Sequence, residues 1–119
     1  MKTEKKQQLM DFGVDVDGML ERFGGNEQIA EKFLKKFLQD LKYQAFQEAL
    51  DEEAVSKAFG LAHELKGVCG NLSLMTLYEN FSRQVEYLRA GNLNEAKEQA
   101  VVLEAEYKRV TNGLREVLG

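Results

Sequence analysis

The sequence predicts an all-α protein: four main helices gathered in a bundle, with a short N-terminal lead-in helix. Three observations predict it. The chain has 119 residues, no proline, and many Ala, Leu, Glu, Lys and Gln, a composition that favours helix over sheet. Apolar residues recur at steps of three and four over long stretches. The polar breaks between those stretches carry Gly, Asn, Asp and Ser, the residues that stop and cap helices. A chain of this length makes one domain around a single core.

Each element follows from its own residues. Residues 1–13 are a polar lead-in, either flexible or a short helix, and residues 14–119 are the bundle. In "VDVDGMLERFGGN", Asp15 or Asp17 can cap a short helix carrying Met19, Leu20 and Phe23, and Gly24-Gly25 stops it. Asn26 is an N-cap for the next helix, whose apolar face is Ile29, Phe33, Leu34, Phe37, Leu38 and Leu41. A bend falls between Asp40 and Tyr43, after which Phe46, Ala49 and Leu50 continue the face. Asp51 is expected to cap a restart, with Glu52 and Glu53 in the first turn, where the helix dipole favours acid. That helix runs to about Asn71. Ser73 is expected to cap the following one, which carries Leu74, Leu77, Phe81, Val85 and Leu88. Asn92 and Glu95 have the spacing of a capping box for the last helix. Its seam is Leu93, Ala96, Ala100, Leu103, Tyr107, Val110, Leu114 and Val117. Such a seam suits antiparallel packing in a bundle. A coiled-coil dimer would also use it, but the other helices need partners for their own faces, so a monomer is the expected state.

Charge and cysteine content exclude several classes of function. The net charge is −4, which offers nucleic acid no basic stripe. The single Cys69 can form neither an internal disulfide nor a multi-cysteine zinc site, and a reducing cytoplasm is the simplest setting. The N-terminus "MKTEKKQQLM" has no apolar stretch after its basic residues, so it is not a secretory signal. No run approaches the roughly 20 apolar residues of a membrane helix. The start at Met1 and the length favour a free-standing protein over a piece of a larger one.

The helix over residues 54–72 is the unusual one. At about 100° per residue, Ala54, Ala58, Leu61, Leu65, Val68 and Leu72 fall in one stripe, the expected buried face. His63, the only histidine, lies almost opposite. Gly60, Gly67 and Gly70 share its outer face, with Phe59 and Lys66 to one side. Each interior Gly costs roughly 0.8–1 kcal/mol relative to Ala. On a solvent face, packing within the bundle gives no reason for that cost; clearing the approach of another molecule to the imidazole does. Lys66, one turn on, can attract an anion attached to the ring. An exposed histidine, cleared of neighbours and flanked by a lysine, fits a nucleophile that accepts a phosphoryl group. A plain surface histidine fits the wheel equally well. Phe59 fits either an apolar docking patch or the edge of the core. Cys69 lies near the buried stripe, as a small core residue. It is far from His63 around the helix, which argues against a shared metal site or a Cys–His dyad.

"AHELKG", Ala62 to Gly67, resembles the A-H-x-L-K-G signature of histidine-containing phosphotransfer (HPt) domains, matching it at Ala62, His63, Leu65, Lys66 and Gly67. "VDVDGMLERFGGNEQIAEKFLKKF" is similar to the family's lead-in, and "LRAGNLNEAKEQA" to its turn between the last two helices. Ser73 stands where many members have Gly, and Cys69-Gly70 replaces a more usual small pair.

The resemblance implies an up-and-down antiparallel four-helix bundle with the active histidine exposed midway along one helix. It implies a phosphorelay carrier without its own kinase or ATP site. His63 would be the phosphoacceptor, through Nε2, taking the group from the aspartyl phosphate of one receiver domain and passing it to another. Lys66 would offset phosphoryl charge, and Gly67 would leave room for the receiver. No cofactor is expected in this chain: Mg²⁺ would come with the receiver. Partners would be response-regulator receivers and a hybrid sensor kinase. Because members often place a polar side chain from the following helix beside the histidine, Gln84 is the candidate neighbour, with Glu86 second. Phe59, Gly60 and Gly70 would form the docking surface. Two other classes of function compete. One is a non-catalytic bundle that binds a receiver or kinase. The other is an enzyme using His63 as general base with Glu64 or Glu86, against which stands the lack of a water-excluding cavity on a glycine-lined face.

Overall fold

The computed structural model describes residues 1–119 and is all-helical. Its seven helices are α1 (Thr3–Asp11), α2 (Val16–Arg22), α3 (Glu27–Leu38), α4 (Lys42–Asp51), α5 (Val55–Asn71), α6 (Met75–Arg89) and α7 (Leu93–Leu118). The one strand-like feature is an isolated antiparallel bridge between Val14 and Leu74. The lead-in is helical, so the polar opening stretch is structured.

Local chemistry explains most boundaries. Asp15 caps α2 by accepting from the Gly18 N–H, and Asn26 caps α3 by accepting from the Ile29 N–H. Between them the chain turns at Gly24 and Gly25, with φ of +63° and +80°, a region glycine enters without steric cost. The bend expected after Leu38 is a full break: Lys42 starts a separate helix, and Asp40 accepts from its N–H.

Three expected caps are corrected. Asp51 does not start a helix; α4 continues through it, and α5 begins only at Val55, after Glu53 has turned the chain at φ +58°. Ser73 does not cap α6. It takes φ +56°, and its carbonyl accepts from the Asp15 N–H, which ties the lead-in to the turn before α6. Asn92 occupies the N-cap position of α7, but its side chain makes no capping bond. In all three places backbone turns replace side-chain caps, a choice that spacing alone cannot reveal.

Packing follows chain order at the C-terminal end: α4 lies on α5, α5 on α6, and α6 on α7. The turns between them are three residues long. At about 1.5 Å per residue, the 26 residues of α7 span about 39 Å, most of the molecule's 44 Å long axis. The helices close on one core of 25 buried apolar residues. At the edge of this core Tyr43 of α4 stacks on Tyr107 of α7 at 3.8 Å, and within it Phe46 meets Phe81 of α6 edge-on. The N-terminal segment shares this core through Leu9 of α1, through Val14, and through Val16 and Met19 of α2.

Candidate functional site

Alpha-helix α5 presents its sole histidine to solvent because its other faces are taken. The buried residues are Ala58, Ala62, Leu65, Cys69 and then Leu72. The face is therefore rotated from the expected stripe: Leu61 and Val68 are only half-buried, and Ala62 and Cys69 point inward. The small Ala58 and Ala62 side chains let α5 lie close to its neighbours on both sides. His63 is exposed, one residue past the buried Ala62.

The outer face is built as its sequence suggests, with one exception. A Cβ added at Gly60 or Gly67 would meet nothing within 4 Å. Both positions are open. Gly70 is different: a Cβ there would lie 3.2 Å from the Tyr78 ring of α6, so this glycine admits a neighbouring aromatic rather than leaving empty surface. Tyr78 in turn lies under Lys66, whose Nζ is 5.8 Å from the ring centroid. Phe59 is half-buried against the core, its ring 6.1 Å from that of His63, and the Arg89 guanidinium covers it at 5.7 Å.

These side chains edge a shallow, open concavity of about 530 Å³. Alpha-helix α5 contributes His63, Lys66, Gly67, Gly70 and Asn71; α6 contributes Met75 and Tyr78; α2 contributes Arg22. Its lining holds two cations and no carboxylate, in a chain of net charge −4. An anion fits it. The surface is open to water rather than an enclosing cavity.

Arg22 is the residue that sequence reasoning missed. Its guanidinium donates to the Gly70 carbonyl, 48 residues away in the chain. No local pattern around "LERFGG" signals such a contact. Beyond Arg22 and Asn71 the surface continues into a second, larger groove of about 800 Å³. There Phe23 and Phe33 stack at 5.3 Å, with Lys36 beside Phe33.

Gln84 requires a correction. It is completely buried, and its amide donates to the Ala96 carbonyl and to Gln99 Oε1, at 2.7 and 2.5 Å. It faces α7, not His63. Two contacts set the register of α6 on α5: Phe59 under Arg89, and Gly70 against Tyr78. That register brings the segment from Ser82 to Glu86 to the height of His63. Of the two side chains considered, Glu86 is the exposed one, and it is paired with Arg89 at 2.7 Å. The wheel placed Gln84 on the flank of the Leu77–Phe81–Val85 stripe, but could not say which neighbouring helix that flank meets.

Cys69 is fully buried, and burial pushes its thiol well above its ordinary range. Nowhere do three His, Cys, Asp or Glu side chains gather as a metal site would need. No helix is long and apolar enough to cross a membrane.

Fold and site together define a class: a helical protein with one exposed histidine on an open surface lined by two cations. A family model for the Hpt domain matches residues 28–113, most of the chain. The protein belongs to the Hpt domain family. Membership implies histidine phosphotransfer in phosphorelay signalling, in which Hpt domains interact with receiver domains of two-component systems. No curated protein and no solved structure matches the chain.

Proposed function

We propose that this protein is a phosphorelay carrier whose phosphoacceptor is His63. The observation that carries the reading is the exposure of this histidine in an open concavity with Lys66, beside a glycine, Gly67, that has nothing above it. The bundle of the reading is up-and-down and four-membered: the α3–α4 pair, α5, α6 and α7, with residues 1–13 as lead-in. It acts as a monomer in the cytoplasm, where receivers and a hybrid sensor kinase meet it.

The transfer balances without any group from solvent. The lone pair of the neutral imidazole, at Nε2, attacks the phosphorus of a receiver's aspartyl phosphate. The bond from phosphorus to the carboxylate oxygen breaks, and its electron pair returns to the aspartate. The proton on the other ring nitrogen stays until the ring gives it to solvent. In the onward step a second receiver's aspartate attacks the same phosphorus, the N–P electron pair returns to the ring, and the ring takes back one proton from solvent. The receiver supplies Mg²⁺. This chain supplies position: His63 held on a rigid helix, in line with the incoming group. Lys66, at i+3, offsets phosphoryl charge as a point cation. Gly60 and Gly67 admit the receiver's backbone, and Phe59 gives it an apolar edge. Glu86, rather than Gln84, is the polar side chain on the α6 flank.

The test is transfer from a receiver domain charged with a small phosphodonor and Mg²⁺, followed by mass spectrometry of the modified residue. Phosphate is expected on His63 and absent in His63→Gln. Lys66→Ala should slow transfer roughly tenfold, the ~1.4 kcal/mol of a partly screened contact to a charged group. Phosphate on another residue, or none on a folded protein, would refute the reading.

A further inference from the structure

Arg22 comes from outside the matched segment, which begins at residue 28, and yet it lines the same concavity as His63. Arg22 is the last residue of α2, and its guanidinium donates to the Gly70 carbonyl near the end of α5. A carbonyl neutralises no charge, and no carboxylate pairs with Arg22. The guanidinium has five N–H donors in a rigid fork, so the arms not used on Gly70 stay available to an incoming carboxylate.

Distance decides what Arg22 can reach. Gly70 is seven residues beyond His63 on α5, about 10 Å of helix rise. Lys66 is three residues beyond it, about 4.5 Å. Along the helix, Lys66 is the nearer of the two cations to a phosphoryl group on the ring. What Arg22 meets is the body of the partner. The lining of the concavity holds Arg22 and Lys66 and no carboxylate, so the partner surface that complements it is acidic.

We infer that Arg22 is a partner-recognition residue of the His63 site: it pairs with carboxylates at the edge of the incoming receiver and sets docking affinity, not the chemistry at the ring. The inference rests on the carrier reading above. It makes the short helix α2 part of the docking surface, and so a place where carriers with the same central motif can differ in the receivers they accept.

The experiment uses two donors on the full-length protein. Phosphoramidate phosphorylates an exposed histidine without docking; a receiver charged with acetyl phosphate and Mg²⁺ must dock. In Arg22→Gln the receiver reaction should fall at least fivefold more than the phosphoramidate reaction. The change should lie in KM rather than kcat, and log(kcat/KM) should depend less steeply on log salt, as expected when a rim charge is lost. Arg22→Lys, which keeps the charge, should recover part of the loss. A melting curve of each variant accounts for any loss of the Gly70 contact. Equal slowing with both donors, an unchanged receiver KM, or a salt slope like that of the wild type would each overturn the inference while the carrier reading stands. A wild-type protein that takes phosphate from neither donor would overturn both.

Discussion

Glycine carries several meanings in this chain, and only contacts separate them. Gly60 and Gly67 look into open space, so alanine there adds helix propensity with no clash. Gly60→Ala and Gly67→Ala should each raise unfolding free energy by roughly 0.5–1 kcal/mol in urea titrations. Gly113 of α7 is the opposite case. The Phe12 ring lies flat on it, and a Cβ would come within 2.4 Å of ring carbons. Gly113→Ala should cost about 1–3 kcal/mol by overpacking. Gly70→Ala falls between, because the Tyr78 ring must give way by a few tenths of an ångström. Were all four substitutions to shift stability alike, the assignment of open and occupied glycines would be wrong. The sequence made the outer face of α5 legible because His63, Lys66 and their glycines lie within a few residues. It could not show that Gly70 serves Tyr78, or that Gly113 serves Phe12, since those contacts cross between helices.

At the scale of elements, the α6–α7 interface holds a polar strip inside the core. Gln84 bonds Gln99, and Gln99 donates to Asn80, whose own amide donates to the Thr76 carbonyl. Gln84 Oε1 has no partner. Truncation at Gln84→Ala leaves a cavity and strands the groups it satisfied, at about 2–3 kcal/mol. Gln84→Met keeps the volume and removes the orphan oxygen, so it should cost less than the alanine variant. Chemical denaturation of both variants checks the order. Labelling of His63 by phosphoramidate should survive in each as long as the protein folds; a selective loss of labelling would return Gln84 to the site.

A second interhelical device fastens α1 to α7. Arg109 makes a two-armed pair with Glu106 at 2.7 and 2.9 Å, donates to the Asp11 carbonyl at 3.3 Å, and covers the Phe12 ring. The Arg109 hydrogen bonds hold the Glu106 carboxyl below its usual range. A carboxyl depressed in the folded state adds stability above its unfolded value, about 4.3, and loses it as pH falls through the lower folded value. Glu106→Gln should therefore flatten the acid side of the stability–pH curve below about pH 4.3. Urea titrations between roughly pH 3 and 6 test this, and a parallel downward shift of the whole curve would contradict it.

For the whole molecule, the lead-in is part of the structure rather than an appendage. Leu9 is fully buried, and Phe12 packs on Gly113 although the two are far apart in sequence. Ion pairs such as Lys6 with Asp17 are exposed and add little. Deleting residues 1–13 removes about 2 kcal/mol of burial for Leu9 and a comparable amount for Phe12. Domains of this kind have roughly 5–15 kcal/mol in total. A truncated protein should still fold, with a clearly lowered urea midpoint. An unchanged midpoint would return these residues to the status of a flexible leader.

The sequence by itself determined what is local. Helix content, a cap at Asp15 or Asp17, the Asn26 cap, the glycine turn between them, the long seam of α7 and the outward histidine with Lys66 and Gly67 all rest on neighbours within about two helical turns. Periodicity and capping chemistry report such neighbours directly. Tertiary structure decided whatever depends on which faces meet. It rotated the buried side of α5 onto Ala62 and Cys69, turned Gln84 toward α7, and brought Arg22 across 48 residues to the Gly70 carbonyl beside the histidine. A helical wheel gives the direction of a side chain from its own axis. What that side chain touches depends on the placement of the other axes, which the burial of the whole core settles at once.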